Sequence, residues 1–277
     1  MQKIDLNDWQ LNGAGGFGSS YFHKTNPSLM LKIMAPDADI AVIQKELDNA
    51  HMAWNLGVVT PRPGELVTDG EKVGIMFERI QGKVSYARAV GDTPEQIPFL
   101  AGEYARMVND LHGLRKCEGM SDVREIYGKD IKDNKFRGDA FKNRALDLLY
   151  SLPVADTCLH GDMHFGNIIL AGGKSYIIDL ADFSYGNPNF DFTMMRILMD
   201  FGKYCPDIFQ REYHCTTQQA EEFWKLVLQK TFGEDVDVAK KEVELKPYRA
   251  IRMLVIETLF GQPTIPQIEG EMLEYFG

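Results

Sequence analysis

Apolar and polar positions repeat along this chain with two different periods, and the change from one to the other divides it. Near the start, Ser19-Ser20-Tyr21-Phe22-His23 and Leu29-Met30-Leu31-Lys32-Ile33-Met34 read as strands joined by the turn-like Lys24-Thr25-Asn26-Pro27. A helix comes next, because Ile40, Ile43, Leu47, Ala50 and Trp54 recur at helical spacing behind a cap at Asp37 or Asp39. After Gly57 and Pro61 end that helix, residues 65–68 and 71–77 read as a hairpin around Asp69-Gly70, making about five strands and one helix. From Thr93-Pro94 onward the period is helical. Ile97, Leu100, Tyr104, Val108 and Leu111 share one face, residues 115–128 read as an irregular connection, and residues 130–150, 217–230 and 247–260 as further helices. The expected fold class is α+β and bilobal: a small antiparallel-sheet N-terminal lobe with one helix, residues 1–80, and a larger, mainly α-helical C-terminal lobe, residues 81–277. Glu78-Arg79-Ile80-Gln81-Gly82, polar and ending on glycine, suits a hinge at about 78–82.

Composition narrows the function class. With 277 residues, 44% hydrophobic and 25% charged, the chain can bury one large core or two modest ones. Its longest apolar runs, such as Met253-Leu-Val-Ile, fall far short of the roughly 18 residues that span a bilayer, and Met1-Gln-Lys-Ile-Asp opens without the apolar core of a signal peptide. A cytoplasmic protein with no membrane partner is expected. Cys117, Cys158, Cys205 and Cys215 form no C-x-x-C pair and suggest reduced, buried thiols. The net charge of −10 argues against nucleic acid as a partner and would suit a cationic small molecule.

The chemistry concentrates in two places. His160-Gly161-Asp162-Met163-His164-Phe165-Gly166-Asn167 is a polar, glycine-punctuated loop, succeeded by an apolar hairpin that ends on Asp179. One carboxylate here can accept the proton of an attacking hydroxyl, while an Asn oxygen and a second carboxylate can hold Mg²⁺ against nucleotide phosphates. Upstream, residues 13–18 satisfy G-x-G-x-x-G through Gly13, Gly15 and Gly18. The residues after the last glycine read as a strand and not a helix, so these glycines join two strands, either as a plain hairpin tip or as a loop whose amides approach phosphate oxygens. Lys32 stands inside an apolar strand, where its charge needs a partner or a ligand unless it snorkels to the edge. Glu46 on the next helix is the candidate partner, and the backbone around Glu78 and Ile80 is placed to bond an adenine edge.

Taken together, the His160–Asn167 loop, Ile178-Asp179 and Tyr185-Gly186-Asn187-Pro188-Asn189-Phe190-Asp191 resemble the aminoglycoside phosphotransferase and choline kinase superfamily over roughly residues 9 to 200. The resemblance implies a protein-kinase-like fold and an ATP- and Mg²⁺-dependent phosphotransferase acting on a small-molecule hydroxyl. It implies Asp162 as the base or hydroxyl-orienting residue, His160 as a support of its loop, and Asn167 and Asp179 as Mg²⁺ ligands. Lys32 would bind phosphate with Glu46 as partner, residues 13–18 would cover the phosphates, and Asp191 would cap a helix and brace the loop. Phe165 departs from the family's usual proline and Asn187 from its Asp. A protein kinase would need a long activation segment and an A-P-E motif between Asp179 and Phe190, and neither is there. A non-catalytic nucleotide-binding module is the alternative from another class. Asp182, Asp207, Glu212 and Glu257 are acidic candidates to recognise an ammonium group on the acceptor, and His112 reads as a packing or capping histidine.

Overall fold

Alternation along residues 29–34 decides how the first part of the chain is built. In the computed structural model, which describes residues 1–15, 18–35 and 38–277, this segment is strand β4 (Leu29–Met34). Leu31 and Ile33 pack with Trp9 and Val67 on one face, while Met34 joins Ile43, Leu47 and Ile75 on the other. Lys32, directly opposite Ile75 in the neighbouring strand, shares that second face and so points toward the helix. With β1 (Gln2–Lys3), β2 (Trp9–Gly15), β3 (Gly18–His23), β5 (Pro63–Thr68) and β6 (Val73–Glu78), it forms a sheet ordered β1-β5-β6-β4-β3-β2. All pairs are antiparallel except the short edge strand β1, which runs parallel to β5 and has too few residues to show a period in the sequence.

Helix α1 (Ile40–Asn55) starts where the Asp39 side chain accepts the Ala41 N–H; Asp37, the other candidate cap, lies outside the described residues. Its buried face is Ile43, Glu46, Leu47, Asn49, Ala50 and Ala53, whereas Ile40 and Trp54, at the two ends of the expected stripe, stay 55% and 39% exposed. A second small element completes this unit. Strands Ile168–Ala171 and Lys174–Ile177 pair across Gly172-Gly173, both at positive φ (56° and 76°), the turn geometry that matches strand twist and needs residues without a Cβ. Asn49 Nδ2 donates to the Ala181 carbonyl at 2.7 Å, and the Ile177 N–H donates to the Val59 carbonyl at 2.8 Å. Those bonds make Met1–Val84 and Ile168–Phe183 one compact unit, although the sequence reading places the latter segment in the C-terminal lobe.

The second unit, Ser85–Asn167 with Ser184–Gly277, is mainly helical: α2 (Tyr86–Asp92), α3 (Ile97–Gly113), α4 (Val123–Asp133), α5 (Asp139–Ser151), α6 (Met194–Tyr204), α7 (Pro206–Tyr213), α8 (Thr217–Phe232), α9 (Val238–Phe260) and α10 (Gly270–Phe276). The predicted face of α3 is buried at all five positions. Three expectations change. Residues 115–128 are not wholly irregular, because Asp122 caps α4 by accepting the Arg124 N–H. The single helix over 130–150 is two, since the Asn134 side chain accepts the Phe136 and Arg137 N–H groups and turns the chain. Helix α9 also starts nine residues before Pro247, which sits inside it. Its Ile251 and Leu254 join Tyr127, Ile131, Leu149 and Phe190 in the core, each fully buried apolar side chain contributing about 1.5–3 kcal/mol. All four cysteines are free thiols, Cys158 and Cys215 buried and Cys117 and Cys205 only half-buried. No helix among the described residues is long and apolar enough to cross a membrane.

Glu257 of α9 is buried and receives Arg137 through Nη2 at 2.5 Å and Nε at 3.0 Å, with Arg137 also reaching Glu269 at 2.8 Å. Burial pushes the Glu257 carboxyl up, but the Arg137 hydrogen bonds, the Thr264 N–H and Asn134 outweigh it and hold the carboxyl below its ordinary value. A folded-state value below the unfolded one gives stability that is whole above the usual Glu range and lost as pH falls through the folded value. Arg137→Ala should therefore cost about 3–5 kcal/mol in urea denaturation at neutral pH, and the cost should shrink as pH is lowered into the acid range.

Candidate functional site

In the first unit, Lys32 sits between two carboxylates, with Nζ 2.6 Å from Glu46 Oε1 and 3.2 Å from Asp179 Oδ1. Burial works against its charge, yet Asp179 and Glu46 outweigh burial and raise its pKa, so the ammonium stays protonated. Strand alternation supplies the lysine, α1 supplies the glutamate from its buried face, and the residues after the Gly172-Gly173 hairpin supply the aspartate. Asp179 is held at φ 61°, an uncommon conformation for a residue with a side chain. These three residues line one cavity whose walls are apolar through Phe22, Met30, Ile80, Ile169 and Leu180. Apolar walls with a few convergent charges are what a planar base attached to phosphates requires.

At the other edge of this cavity, the Glu78 and Arg79 N–H groups donate to the Arg62 and Ser28 carbonyls. The Ile80 N–H makes no hydrogen bond to a described residue, which leaves it available to a ligand edge. Gly13, Gly15 and Gly18 lie on the β2–β3 hairpin, where Gly15 pairs with Gly18; Gly16 and Phe17 of the glycine loop lie outside the described residues. Gly18 has a packing reason to be glycine as well, since a Cβ there would stand 2.2 Å from the Ile33 carbonyl oxygen. Lys83, missed in the sequence, also lines the cavity, and burial lowers its pKa.

In the second unit, the loop of His160–Asn167 is anchored from below by Asp191. Its buried carboxylate accepts the His160 N–H at 3.0 Å and the Gly161 N–H at 2.8 Å, and His112 Nε2 approaches it at 2.9 Å. Burial opposes this charge, but His112 foremost, then His160, keep the Asp191 carboxyl below its ordinary value. Asp191 braces the loop but caps no helix: it lies within the short turn Pro188–Phe192, whose cap is Asn187, and α6 begins at Met194. His160 supports the loop in a second way, as its Nδ1 accepts the Asp162 N–H at 3.1 Å.

Asp162 itself is half-buried. Asn167 Nδ2 donates to its backbone carbonyl at 3.0 Å and to Oδ2 at 3.2 Å; Arg252 Nη2 donates to Oδ1 at 3.1 Å. His164 Nε2 stands 3.6 Å from Oδ2, within ion-pair reach but too far for a good hydrogen bond. Burial pushes the Asp162 carboxyl up, but His164, Arg252 and His160 more than offset it, and the carboxyl lies far below its ordinary value. Phe165 is buried and stacked against Tyr213 and Phe223 at 5.4 and 5.9 Å.

The structure thus brings together Lys32, Glu46 and Asp179 in one unit and His160, Asp162 and Asn167 in the other. Of the acidic candidates, Glu257 is committed to Arg137, Asp182 belongs to the first unit, and Asp207 and Glu212 are exposed on α7, the latter 2.9 Å from Arg211. Arg252 and Tyr127 escaped the sequence reading. The available signal was Arg249 and Arg252 inside an otherwise apolar helical run, where unpaired charge is costly.

An α+β fold of the protein-kinase-like type, carrying these two constellations, defines the class, and comparison with known proteins agrees. The model of the phosphotransferase enzyme family (APH) matches residues 10–224, and the chain belongs to that family. Its fold is similar to the aminoglycoside phosphotransferase APH(2'')-Ib bound to ADP (16% identity, 99% of this chain and 93% of that one, TM-score 0.60). It is likewise similar to a choline/ethanolamine kinase family protein from Mesorhizobium loti (15% identity, 96% and 86%, TM-score 0.56) and to APH(2")-IIa in a ternary complex with streptomycin and ATP (17%, 91% and 86%, TM-score 0.57). No match was found among curated protein sequences.

Because Asp191 satisfies two buried backbone N–H groups and the part-buried His112 imidazole at once, Asp191→Ala should destabilise the fold by on the order of 3 kcal/mol, read as a lower denaturation midpoint at unchanged slope.

Proposed function

We propose that this protein is an ATP- and Mg²⁺-dependent phosphotransferase that moves the γ-phosphate to a hydroxyl of a small molecule. The observation that carries the reading is Lys32, charged between Glu46 and Asp179 on an apolar cavity. In this reading the adenine edge meets the backbone at Glu78 and Ile80, Lys32 binds phosphate with Glu46 steering it, and the Gly13, Gly15 and Gly18 hairpin covers the phosphates. The segment 78–82 serves as the hinge.

Asn167 and Asp179 are the proposed Mg²⁺ ligands, and their chemistry fits a hard cation that prefers oxygen. Asn167 spends its Nδ2 on Asp162, which leaves its Oδ1 as the end for a metal. With two protein oxygens, the remaining ligands would be phosphates and water. When bound, the metal supplies neutralisation of the phosphate charge.

Asp162 orients the acceptor hydroxyl. Its depressed pKa keeps it ionised and makes it a weak base, which suits a loose transition state in which alignment matters more than early proton removal. As the new P–O bond forms and the bond to the leaving diphosphate breaks, the hydroxyl proton passes to Asp162 and on to solvent. An acceptor among the aminoglycosides, amino alcohols or sugar-like compounds is in keeping with the family, and the acidic balance of the chain would favour a cationic one. A cytoplasmic location belongs to the same reading.

The test is phosphate transfer from ATP with Mg²⁺ across such a panel. Transfer to at least one member is expected, and Asp162→Ala should lower kcat by about 100-fold or more while leaving nucleotide affinity nearly unchanged. Nucleotide binding with no transfer to any acceptor would favour the non-catalytic module instead, and full activity in Asp162→Ala would remove the role given to that residue. Lys32→Met should weaken catalysis by about 100-fold, because the carboxylates it separates are then left facing the phosphates. Turnover and ATP titrations of this variant decide the point.

A further inference from the structure

Arg252 lies on α9, only 3% exposed, in the stretch of that helix that otherwise builds the apolar core. A guanidinium is not buried there for packing alone, since its desolvation must be offset by partners of good geometry. Two partners define its plane. Nη2 donates to Asp162 Oδ1 at 3.1 Å, and Nη1 donates to the Tyr127 hydroxyl at 3.1 Å. Tyr127 is itself fixed, buried edge-on against Phe190 at 5.3 Å, and its hydroxyl lies 3.5 Å from the Gly161 carbonyl within the same loop. Opposite Arg252, Asn167 Nδ2 holds the other carboxylate oxygen at 3.2 Å. The Asp162 carboxylate is thereby gripped at both oxygens by groups from two distant parts of the chain. An ionised carboxylate offers about four lone-pair sites, so this grip still leaves acceptor capacity for a substrate hydroxyl.

We propose that Arg252 is a positioning residue: steadied by the Tyr127 hydroxyl, its guanidinium sets the plane of the Asp162 carboxylate so that the remaining lone pairs meet the acceptor hydroxyl. This rests on the function proposed above. Arginine suits the task and lysine does not, because only the planar fork reaches Asp162 and Tyr127 together. The position also explains why a charge interrupts the apolar period of α9. A misplacement of the catalytic carboxylate by about 1 Å is enough to cost roughly 100-fold in rate.

The experiment compares wild type, Arg252→Met, Arg252→Lys and Tyr127→Phe in the transfer assay, with a crystal structure of each folded variant. In Arg252→Met, kcat should fall by roughly 100-fold with the KM for ATP moved less than about threefold, since the lost contact acts on the reacting group and not on nucleotide binding. Arg252→Lys should recover only part of that loss, and Tyr127→Phe should lose about three- to tenfold in kcat, again with the ATP KM unchanged. Loss of kcat and a rise in ATP KM together, or an unchanged kcat, would overturn the proposal. If Arg252→Met does not fold, Tyr127→Phe decides by the same criteria. Should wild type transfer phosphate to no acceptor, the functional reading fails on its own. The positioning role is then judged on the crystal structures, where a turned Asp162 carboxylate upholds it and an unmoved one overturns it.

Discussion

A single buried carboxylate determines the shape of the loop on which the chemistry of the second unit depends. Asp191 is fully enclosed, and it takes up the backbone N–H groups of His160 and Gly161 together with the His112 imidazole. A polar loop can enter a protein interior only if its backbone donors find acceptors. Here the acceptor comes from a short turn later in the sequence than the loop, so the loop and the turn stabilise each other. The groups around Asp162 gather at this supported loop: His160 beneath its amide, Asn167 and His164 from the loop itself, and Arg252 from α9 at its carboxylate oxygens. In the first unit Lys32 plays the corresponding part, with two carboxylates drawn to one ammonium from a helix and from the end of a hairpin.

Both constellations use charge sparingly in dry surroundings. Glu257, Glu242 and Glu271 are matched by Arg137 and Arg249, so much of the acidity counted along α9 and α10 is spent inside the fold. What distinguishes Arg252 from these structural arginines is its partner, a carboxylate in a polar loop and not one on a packed helix.

Most of the sheet, α1, α3 and the loop–hairpin order were legible because each depends on a local period or a local turn: alternation around Lys32, helical spacing from Ile97 to Leu111, and an apolar hairpin ending on Asp179. Lys32 and Glu46 could be paired from sequence because a charge inside an apolar strand demands a partner nearby. The break at Asn134 was not legible, since a side chain that accepts two N–H groups looks like any polar residue in a helix. Pro247 misled in the opposite direction, as a proline usually marks a helix boundary and here sits within one. Arg252 and His112 were unreadable as loop supports because their partners, Asp162 and Asp191, are remote in sequence. Only tertiary packing brings such pairs together.

The first unit is not continuous in the chain, and this has a bearing on how the protein comes into being. Its sheet and α1 are complete by Val84, but the hairpin that delivers Asp179 belongs to the same unit and is made only after the ribosome has passed the His160–Asn167 loop. Until then Asn49 and the Val59 carbonyl lack the partners they hold in the finished fold, and Lys32 has Glu46 alone. Domains generally fold as units during synthesis, from the N-terminal end. A nascent chain of this protein must instead keep its first unit unfinished while part of its second is already emerging, so the cavity lined by Lys32 and Asp179 is assembled late, after the segment carrying Asp162 has left the ribosome.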